Sequence, residues 1–457
     1  MAKAPVTDLV VVLPGIMGST LVRDGRELWN SRIAVMGRHL LRGMRDLEQL
    51  VLPPGIGDDD PQDGVEAVAL LPGLHLLPGV SAIDGYAGLL GFLERRFDFS
   101  GGNLLPFPYD WRLSVRRNAR RLGSTVSAAL GDWRERSGNP GARTVLIAHS
   151  MGGLIAAHYL DVLGGRADAR TLITMGTPFR GSLNALAVLN AGVLPGLGGF
   201  AEPVTRLARS LPSLHQLLPD WPCVVGADGA RTGLDRAGLP GADPQLTADA
   251  HRLRAELADA AGASDASGAG YRTHVFGGFR QPTGQSATPG PTGGPFRTSR
   301  SLDGVDRDGD GTVPRFSCFP AHHADDSGVR YVAQRHGSLQ NHPALWHQIE
   351  AILTAQAPRN FLDGGPELSL DLPDAVFDGR CTVHVTADGG RPALGVTAED
   401  VETGARTGPR GLRHRGDGRY RTTLELPGPG TFRIAVADPA DPAAHPVVGF
   451  VQSFPAA

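Results

Sequence analysis

The pentapeptide Ala148-His149-Ser150-Met151-Gly152 follows the apolar run Thr144-Val145-Leu146-Ile147 and opens a segment, Gly152 to Leu160, whose apolar residues recur at helical spacing. A strand that turns sharply into a helix with serine at its apex lifts a hydroxyl clear of the sheet, which is the geometry of a nucleophile elbow. The usual pattern is Gly-x-Ser-x-Gly, and Ala148 in the first place is still small enough for strand and helix to approach one another. A serine hydroxyl is a weak nucleophile at neutral pH, so acyl chemistry here requires a base to take its proton and donors to hold the oxyanion that forms. An ordinary serine in a strand-to-helix loop is the plainer reading, and the flanking strand and helix argue against it. His149 and His158 read as packed or exposed neighbours rather than catalysts.

The oxyanion donors have a candidate near the start of the chain. Asp8-Leu9-Val10-Val11-Val12-Leu13 reads as a strand, and Pro14-Gly15-Ile16-Met17-Gly18-Ser19 as the tight loop after it. In hydrolases built this way one donor is the N–H of the residue after the nucleophile, and the other comes from an early strand-to-helix loop. That assigns Met151 and Ile16. Standing alone, the loop would be no more than a glycine turn.

Acid and base should follow the serine in the order Ser, Asp, His. The run Asp306-Arg307-Asp308-Gly309-Asp310-Gly311-Thr312-Val313-Pro314 offers the acid, and Gln334-Arg335-His336-Gly337-Ser338-Leu339 the base, the latter just after the apolar stretch Val329 to Val332. His336 has rivals in His322, His323, His342 and His347; its place between a strand and a helix pattern favours it. Asp306 to Gly311 also matches the front of a calcium loop, but the twelfth position, where a bidentate Glu belongs, is Ser317, with no helix pattern on either side. A solvated Asp-Gly turn is a third reading of the same residues. The expectation is a triad acid, with no metal and no cofactor.

Taken together, these segments resemble the lecithin:cholesterol acyltransferase family, α/β-hydrolases that include lysosomal phospholipase A2. The residues that carry the resemblance are Leu13 to Ser19, Pro108-Tyr109-Asp110-Trp111-Arg112, Ala148 to Gly153, Gly176-Thr177-Pro178-Phe179, Gly309 to Pro314 and His336-Gly337, in the family's order. The resemblance implies Ser150 as nucleophile, Asp310 as acid, His336 as base and the backbone of Ile16 and Met151 as oxyanion hole. It further implies that Asp110 and Arg112 form a buried structural pair beside the site. The disulfides of secreted animal members have no counterpart here, and neither lipid choice nor acceptor transfers.

Length and composition agree with this reading. A chain of 457 residues exceeds what one core usually organises, which predicts two domains. Lys and Arg number 44 against 47 Asp and Glu, and the basic residues are scattered, so there is no electrostatic footprint for nucleic acid. Cys223, Cys318 and Cys381 are an odd, widely spaced set, unlike a disulfide framework or a zinc site, and reduced thiols are expected. Met1 to Asp8 lacks the apolar core and cleavage site of a signal peptide, and no apolar run is long enough to span a bilayer; a cytoplasmic enzyme is the expectation.

The predicted fold is an α/β-hydrolase domain over residues 1–356, with cap insertions near 28–80 and 183–300, followed by an immunoglobulin-like β-sandwich over 363–457. Leu183 to Phe200 is apolar and glycine-rich, and two readings stand: a lid that touches acyl chains, or a core helix with a Pro-Gly end. Leu28 to Leu77 mixes leucines with arginines and reads as a solvated helix flank more than a lipid interface. Two Gly/Ser/Ala/Pro/Thr patches between Gly262 and Gly294, around the strand His274 to Gly277, read as surface loops. Beyond Ala357, Cys381-Val383-Val385, Thr422-Leu424-Leu426 and Phe432-Ile434-Val436 alternate with polar neighbours, as strands of a sandwich do. No catalytic constellation occurs there, and docking, substrate access or stabilisation are its expected roles. The functional expectation is a serine-dependent ester hydrolase or acyltransferase on a lipid or other ester, at a membrane surface or in solution. The alternative is an inactive hydrolase scaffold that binds a partner through its sandwich.

Overall fold

Short apolar runs become the buried strands of one parallel sheet. In the computed structural model, which describes residues 3–30, 47–73, 75–77, 81–192, 202–267, 270–291, 295–320, 323, 325–354, 367–388, 391–441 and 445–454, these are β1 (Leu9–Leu13), β2 (Leu104–Pro106), β3 (Thr144–His149), β4 (Ala169–Met175), β5 (Arg272–Gly278) and β6 (Val329–Val332). Their order is β6-β5-β4-β3-β1-β2, every pair parallel, with Leu146 of β3 in register between Val11 and Leu172.

Parallel neighbours need long crossovers, and helices supply most of them. They are α1 (Ala87–Arg96), α2 (Val115–Ser137), α3 (Met151–Ala157), α4 (Leu183–Ala191), α5 (Pro244–Ser267) and, after β6, α6 (Pro343–Leu353). Alternate residues of β1 enter opposite cores. Leu9, Val11 and Leu13 pack with Leu122 and Val126 of α2 and Ile155 of α3. Val10 and Val12 pack with Leu89 and Leu93 of α1 and Leu345 and Ile349 of α6. α2 begins at Ser114, whose hydroxyl accepts the Arg117 N–H at 3.1 Å, and ends at Gly138 in the left-handed region.

The sheet reverses its order at β1, since the chain moves from there to β2 on one side and then to β3 on the other. In open α/β sheets such a switch point leaves a crevice at the carboxyl ends of the strands involved. Ser150 and the Pro14 to Gly18 loop both lie at that position.

The C-terminal strands are β7 (Glu367–Asp371), β8 (Ala375–Val376), β9 (Arg380–Asp388), β10 (Gly395–Asp400), β11 (Arg406–Gly411), β12 (Arg413–His414), β13 (Arg419–Glu425), β14 (Gly430–Ala437) and β15 (Val447–Ser453). They form two sheets, β7-β9-β13-β12 and β8-β15-β14-β10-β11, antiparallel except for β8 with β15. Leu370, Val383 and Leu424 of one sheet share a core with Val396, Ile434 and Val451 of the other. The alternating runs seen in the sequence are thus the inner faces of a β-sandwich. β15 departs from alternation and is buried on both faces; its second face turns toward the hydrolase loops described below.

Three local expectations need correction. The helix after the elbow is α-helical only to Ala157, and His158–Val162 continues as a π turn. The supposed loops between 262 and 294 begin inside α5 and include the strand Ser286–Thr288, with Gln281, Thr283 and Gln285 buried. Alanine-rich sequence sustains a helix despite its small residues, and tertiary packing overrides a loop-like composition. In the 28–80 region, Ser19–Arg23, Arg26–Trp29 and Val65–Leu70 form an antiparallel sheet, and Leu47, Leu50 and Leu52 are core residues rather than a solvated flank; Leu40 and Leu41 lie outside the described residues. Among the described residues no helix is long and apolar enough to cross a membrane.

Candidate active site

Ser150 stands between β3 and α3 at φ +53°, a conformation that non-glycine residues rarely adopt and that persists only where the surroundings impose it. Its N–H donates to Met175 O at 2.9 Å, tying the turn to β4. Ser150, Asp310 and His336, distant in sequence, meet here. His336 Nε2 is 2.9 Å from Ser150 Oγ, and His336 Nδ1 is 2.7 Å from Asp310 Oδ2. The carboxylate can only accept, so Nδ1 carries the proton and Nε2 is left to accept from the serine hydroxyl. Asp310 Oδ1 in turn accepts the N–H groups of Thr312 (2.9 Å) and Val313 (2.6 Å), and the His336 N–H donates to Asp310 O at 2.8 Å. The Asp306 to Gly311 run therefore uses its last aspartate to orient the imidazole. All three side chains are buried.

Gly176, at φ +59°, lets β4 turn directly beneath this arrangement. A Cβ there would sit 2.9 Å from His336 Nδ1 and 3.0 Å from Asp310 Oδ2.

The Pro14 to Ser19 loop is held by its carbonyls. Tyr109 Oη donates to Pro14 O (2.9 Å), Trp29 Nε1 to Met17 O (2.9 Å) and Trp111 Nε1 to Ser19 O (3.2 Å). A Cβ on Gly15 would lie 2.9 Å from Ser150 Cβ, so the loop backbone rests against the nucleophile position. The N–H groups of Ile16 and Met151 make no hydrogen bond among the described residues. The Tyr-Asp-Trp-Arg segment thus acts as the support of this loop.

Asp110 and Arg112 do form a buried pair, with Arg112 Nη2 2.7 Å from Asp110 Oδ2. A third member, Asp63, had no signal in the sequence; its Oδ2 lies 2.7 Å from Arg112 Nη1. Burial raises the Asp63 carboxyl, but the hydrogen bond and charge of Arg112 outweigh it and hold the group below the ordinary carboxylate range.

Sequence reasoning also missed the role of Tyr86 and His149. The Gly15 N–H donates to Tyr86 Oη (2.6 Å), which lies 2.9 Å from His149 Nδ1, and His149 Nε2 lies 3.0 Å from His336 O. A carbonyl only accepts, so Nε2–H donates to it and the phenol donates to Nδ1. Burial pushes the Tyr86 phenol up, keeping it protonated for that purpose. One directed chain therefore links the loop after β1, the strand before Ser150 and the loop that carries the imidazole.

The rival histidines stand elsewhere. His342 caps α6, its Nδ1 accepting the Ala344 N–H at 3.3 Å, and His347 lies within that helix. His322 is outside the described residues. The three cysteines are free and buried, and burial pushes their thiols up, Cys223 and Cys318 to about 12 and Cys381 to about 11.

A cleft of about 480 Å³ opens beside Asp310 and His336. Asn184, Ala187, Val188 and Ala191, spaced along one face of α4, line it, while Leu183, Leu186 and Leu189 enter the core. Over 183–191 the buried leucines fit the core-helix reading; residues 193–200 lie outside the described residues.

The sheet order and the helices on both faces define an α/β-hydrolase fold with an added β-sandwich. Residues 95–234 match the family model described as Lecithin:cholesterol acyltransferase, so the resemblance carried by the motifs is shown over that stretch. Among solved structures, the chain is similar to Bacillus licheniformis lipase BlEst2 in its propeptide form, at 14% identity over 95% of this chain and 72% of that one, with a TM-score of 0.31. It is also similar to phospholipase PlaB from Legionella pneumophila, at 12% identity over 81% and 89% of the two chains, with a TM-score of 0.32. A comparison with curated proteins finds no match.

Proposed function

We propose that this protein is a serine-dependent acyl-ester hydrolase or acyltransferase, acting on a lipid or other ester through an acyl-enzyme. The observation that carries the reading is the hydrogen-bonded line from Asp310 through His336 to Ser150 Oγ, beside two backbone N–H groups that make no hydrogen bond among the described residues. His336 Nε2 removes the serine proton as Oγ bonds to the ester carbonyl carbon, and the N–H groups of Ile16 and Met151 receive the oxyanion. Asp310 holds the tautomer and stabilises the imidazolium. The tetrahedral species then breaks its bond to the alcohol oxygen, which leaves with the proton from Nε2. Water or a second alcohol gives its proton to His336 Nε2 as its oxygen bonds to the acyl carbon; the bond to Ser150 Oγ then breaks, Oγ takes the proton back from Nε2, and acid or new ester is released.

The hydrolase part is assigned to residues 1–356 and the sandwich to 363–457. A fluorophosphonate probe tests the reading: labelling at Ser150 is expected, and Ser150→Ala should lose both the label and about 10⁴-fold or more of ester turnover. A folded parent protein that takes no label would instead support a non-catalytic scaffold.

A further inference from the structure

Basic residues are scattered over the chain as a whole, but residues 406–421 hold six arginines against one acid, Asp417. The fold gathers four of the six on one face. β12 and β13 form a hairpin at one edge of the sheet β7-β9-β13-β12, with Arg413 opposite Arg421 and His414 opposite Tyr420. The Arg415 N–H donates to Arg419 O at 2.7 Å, which extends the same register to Arg415 and Arg419. Tyr420 is buried in the sandwich core, so strand alternation turns Arg413, Arg415, Arg419 and Arg421 to the outer face, where all four are exposed. They make a two-by-two array, about 5 Å across the strands and about 7 Å along them.

Like charges directly opposite one another destabilise a sheet. The neighbouring strand does not offset the two pairs, since it presents His384 beside Arg421 and Thr386 beside Arg419. The acids of this face are matched elsewhere: Asp371 and Asp388 pair with Arg300 and Arg280, and Glu425 stands opposite Arg380. Among the described residues none of the four arginines has an ion pair. Charge on an edge strand hinders aggregation between sheets, which accounts for Arg413 and Arg415 but not for Arg419 and Arg421, because β13 lies between β9 and β12. The hairpin thus holds positive charge together at a cost that an external anion would relieve.

The chemistry of the face selects a partner. Guanidinium groups pair with phosphate oxygens through two parallel hydrogen bonds. The outer positions of β9 and β13 carry no Phe, Tyr or Trp on which a base could stack, so the face lacks the platform that single-stranded nucleic acid uses. An enzyme of lipid esters meets its substrate at a surface of phosphates. The chain carries three more acids than bases, so an anionic bilayer repels it as a whole, and a compact cationic face decides which side approaches. Resting on the lipid-ester reading above, we propose that the outer face of the β12–β13 hairpin docks this protein on a bilayer of anionic phospholipid.

The test is co-sedimentation of the full chain with vesicles, carried out in a Ser150→Ala background so that no lipid is consumed. Vesicles of phosphatidylcholine and phosphatidylserine in equal parts should bind about a hundredfold or more tightly than phosphatidylcholine alone, and the difference should vanish between about 0.1 M and about 0.5 M NaCl. Each arginine at the surface adds about fivefold, so Arg419→Gln with Arg421→Gln should weaken binding about 20-fold. Arg95→Gln with Arg236→Gln, which removes the same charge from exposed sites in the hydrolase part, should leave it within about twofold. Because the first variant relieves both like-charge pairs, its Tm should equal or exceed the parent's. Equal affinity for the two kinds of vesicle overturns the proposal, as do undiminished binding by the Arg419 and Arg421 variant, a lower Tm in it, or tighter binding of the parent to a single-stranded RNA than to phosphatidylserine. Fluorophosphonate labelling of the Ser150 chain separates the two readings: vesicle binding without label removes the acyl-transfer reading alone, and label without vesicle binding removes the docking face alone.

Discussion

Ser150 is held in its strained turn by neighbours on every side: Met175 O accepts its N–H, Gly15 allows the loop after β1 to touch it, and His336 Nε2 accepts a hydrogen bond from its hydroxyl. Tyr86 ties the same neighbours together from behind. Tyr86→Phe would remove the hydroxyl that accepts the buried Gly15 N–H and donates to His149 Nδ1, while preserving the ring's packing. Leaving buried polar groups unsatisfied costs about 1–3 kcal/mol each. The variant should therefore unfold at lower denaturant and, because Gly15 precedes Ile16, lose about 10-fold or more in kcat, on the scale of a misplaced oxyanion donor. Equal stability and turnover in parent and variant would show that the chain of hydrogen bonds carries no energy.

At the scale of elements, the loop that carries His336 is tied to the sandwich, and the helix that follows it is capped by a histidine. Gln334 joins the His336 loop to β15, so Gln334→Ala should unpair Pro446 O and the Val448 N–H and lower kcat more than it raises KM; a change in KM alone would contradict a positioning role. His342, at the start of α6, reports pH. Burial, with the His445 ring beside it, pushes its imidazole down from the ordinary 6.5 to about 4. Above pH 6.5 neither the folded nor the unfolded chain holds that proton, and stability does not depend on it. Between pH 6.5 and about 4 the unfolded chain binds a proton that the folded chain refuses, so stability falls as pH falls, by on the order of 3 kcal/mol at the lower end. His342→Asn retains a side-chain acceptor for the Ala344 N–H and removes this titration. The parent's Tm should therefore drop more steeply than the variant's from pH 7 to 4.5, and parallel curves would refute the assignment.

Across the whole molecule, the sandwich and the hydrolase sheet are joined by paired charges as well as by glutamines. Arg280 pairs with Glu367 at 2.5 Å and with Asp388, Arg300 with Asp371, and Arg433 with Asp84 at 3.4 Å. Most of these groups are partly exposed, so each pair contributes little by itself, on the order of 1 kcal/mol or less. The buried Gln281 and Gln334 contribute more, because separation from the sandwich would remove their hydrogen bonds to Leu368, Leu370, Pro446 and Val448. A chain ending at residue 356 should accordingly be less stable and lose most ester turnover, although Ser150, Asp310 and His336 remain in it. Full kcat in such a chain, measured with a p-nitrophenyl ester, would make the sandwich an independent appendage.

Much of this was legible along the chain, because it depends on near neighbours. The run Thr144 to Ile147, the serine after it and the helix pattern beyond are local facts, as are the alternating strands after residue 380 and the glycines of the Pro14 to Ser19 loop. Period and turn chemistry act over a few residues, and a sequence displays them directly. Motif order was enough to place Ser150, Asp310 and His336 in one expectation, which the structure brings within hydrogen-bonding distance. Tyr86 with His149, Asp63 with Arg112, and Gln281 and Gln334 with the sandwich backbone were invisible, since each is an ordinary residue whose meaning comes from a partner tens to hundreds of positions away. Only tertiary structure could decide which wall closes the cleft beside the imidazole, because that depends on how two independently patterned sheets are packed, and packing has no period along the chain.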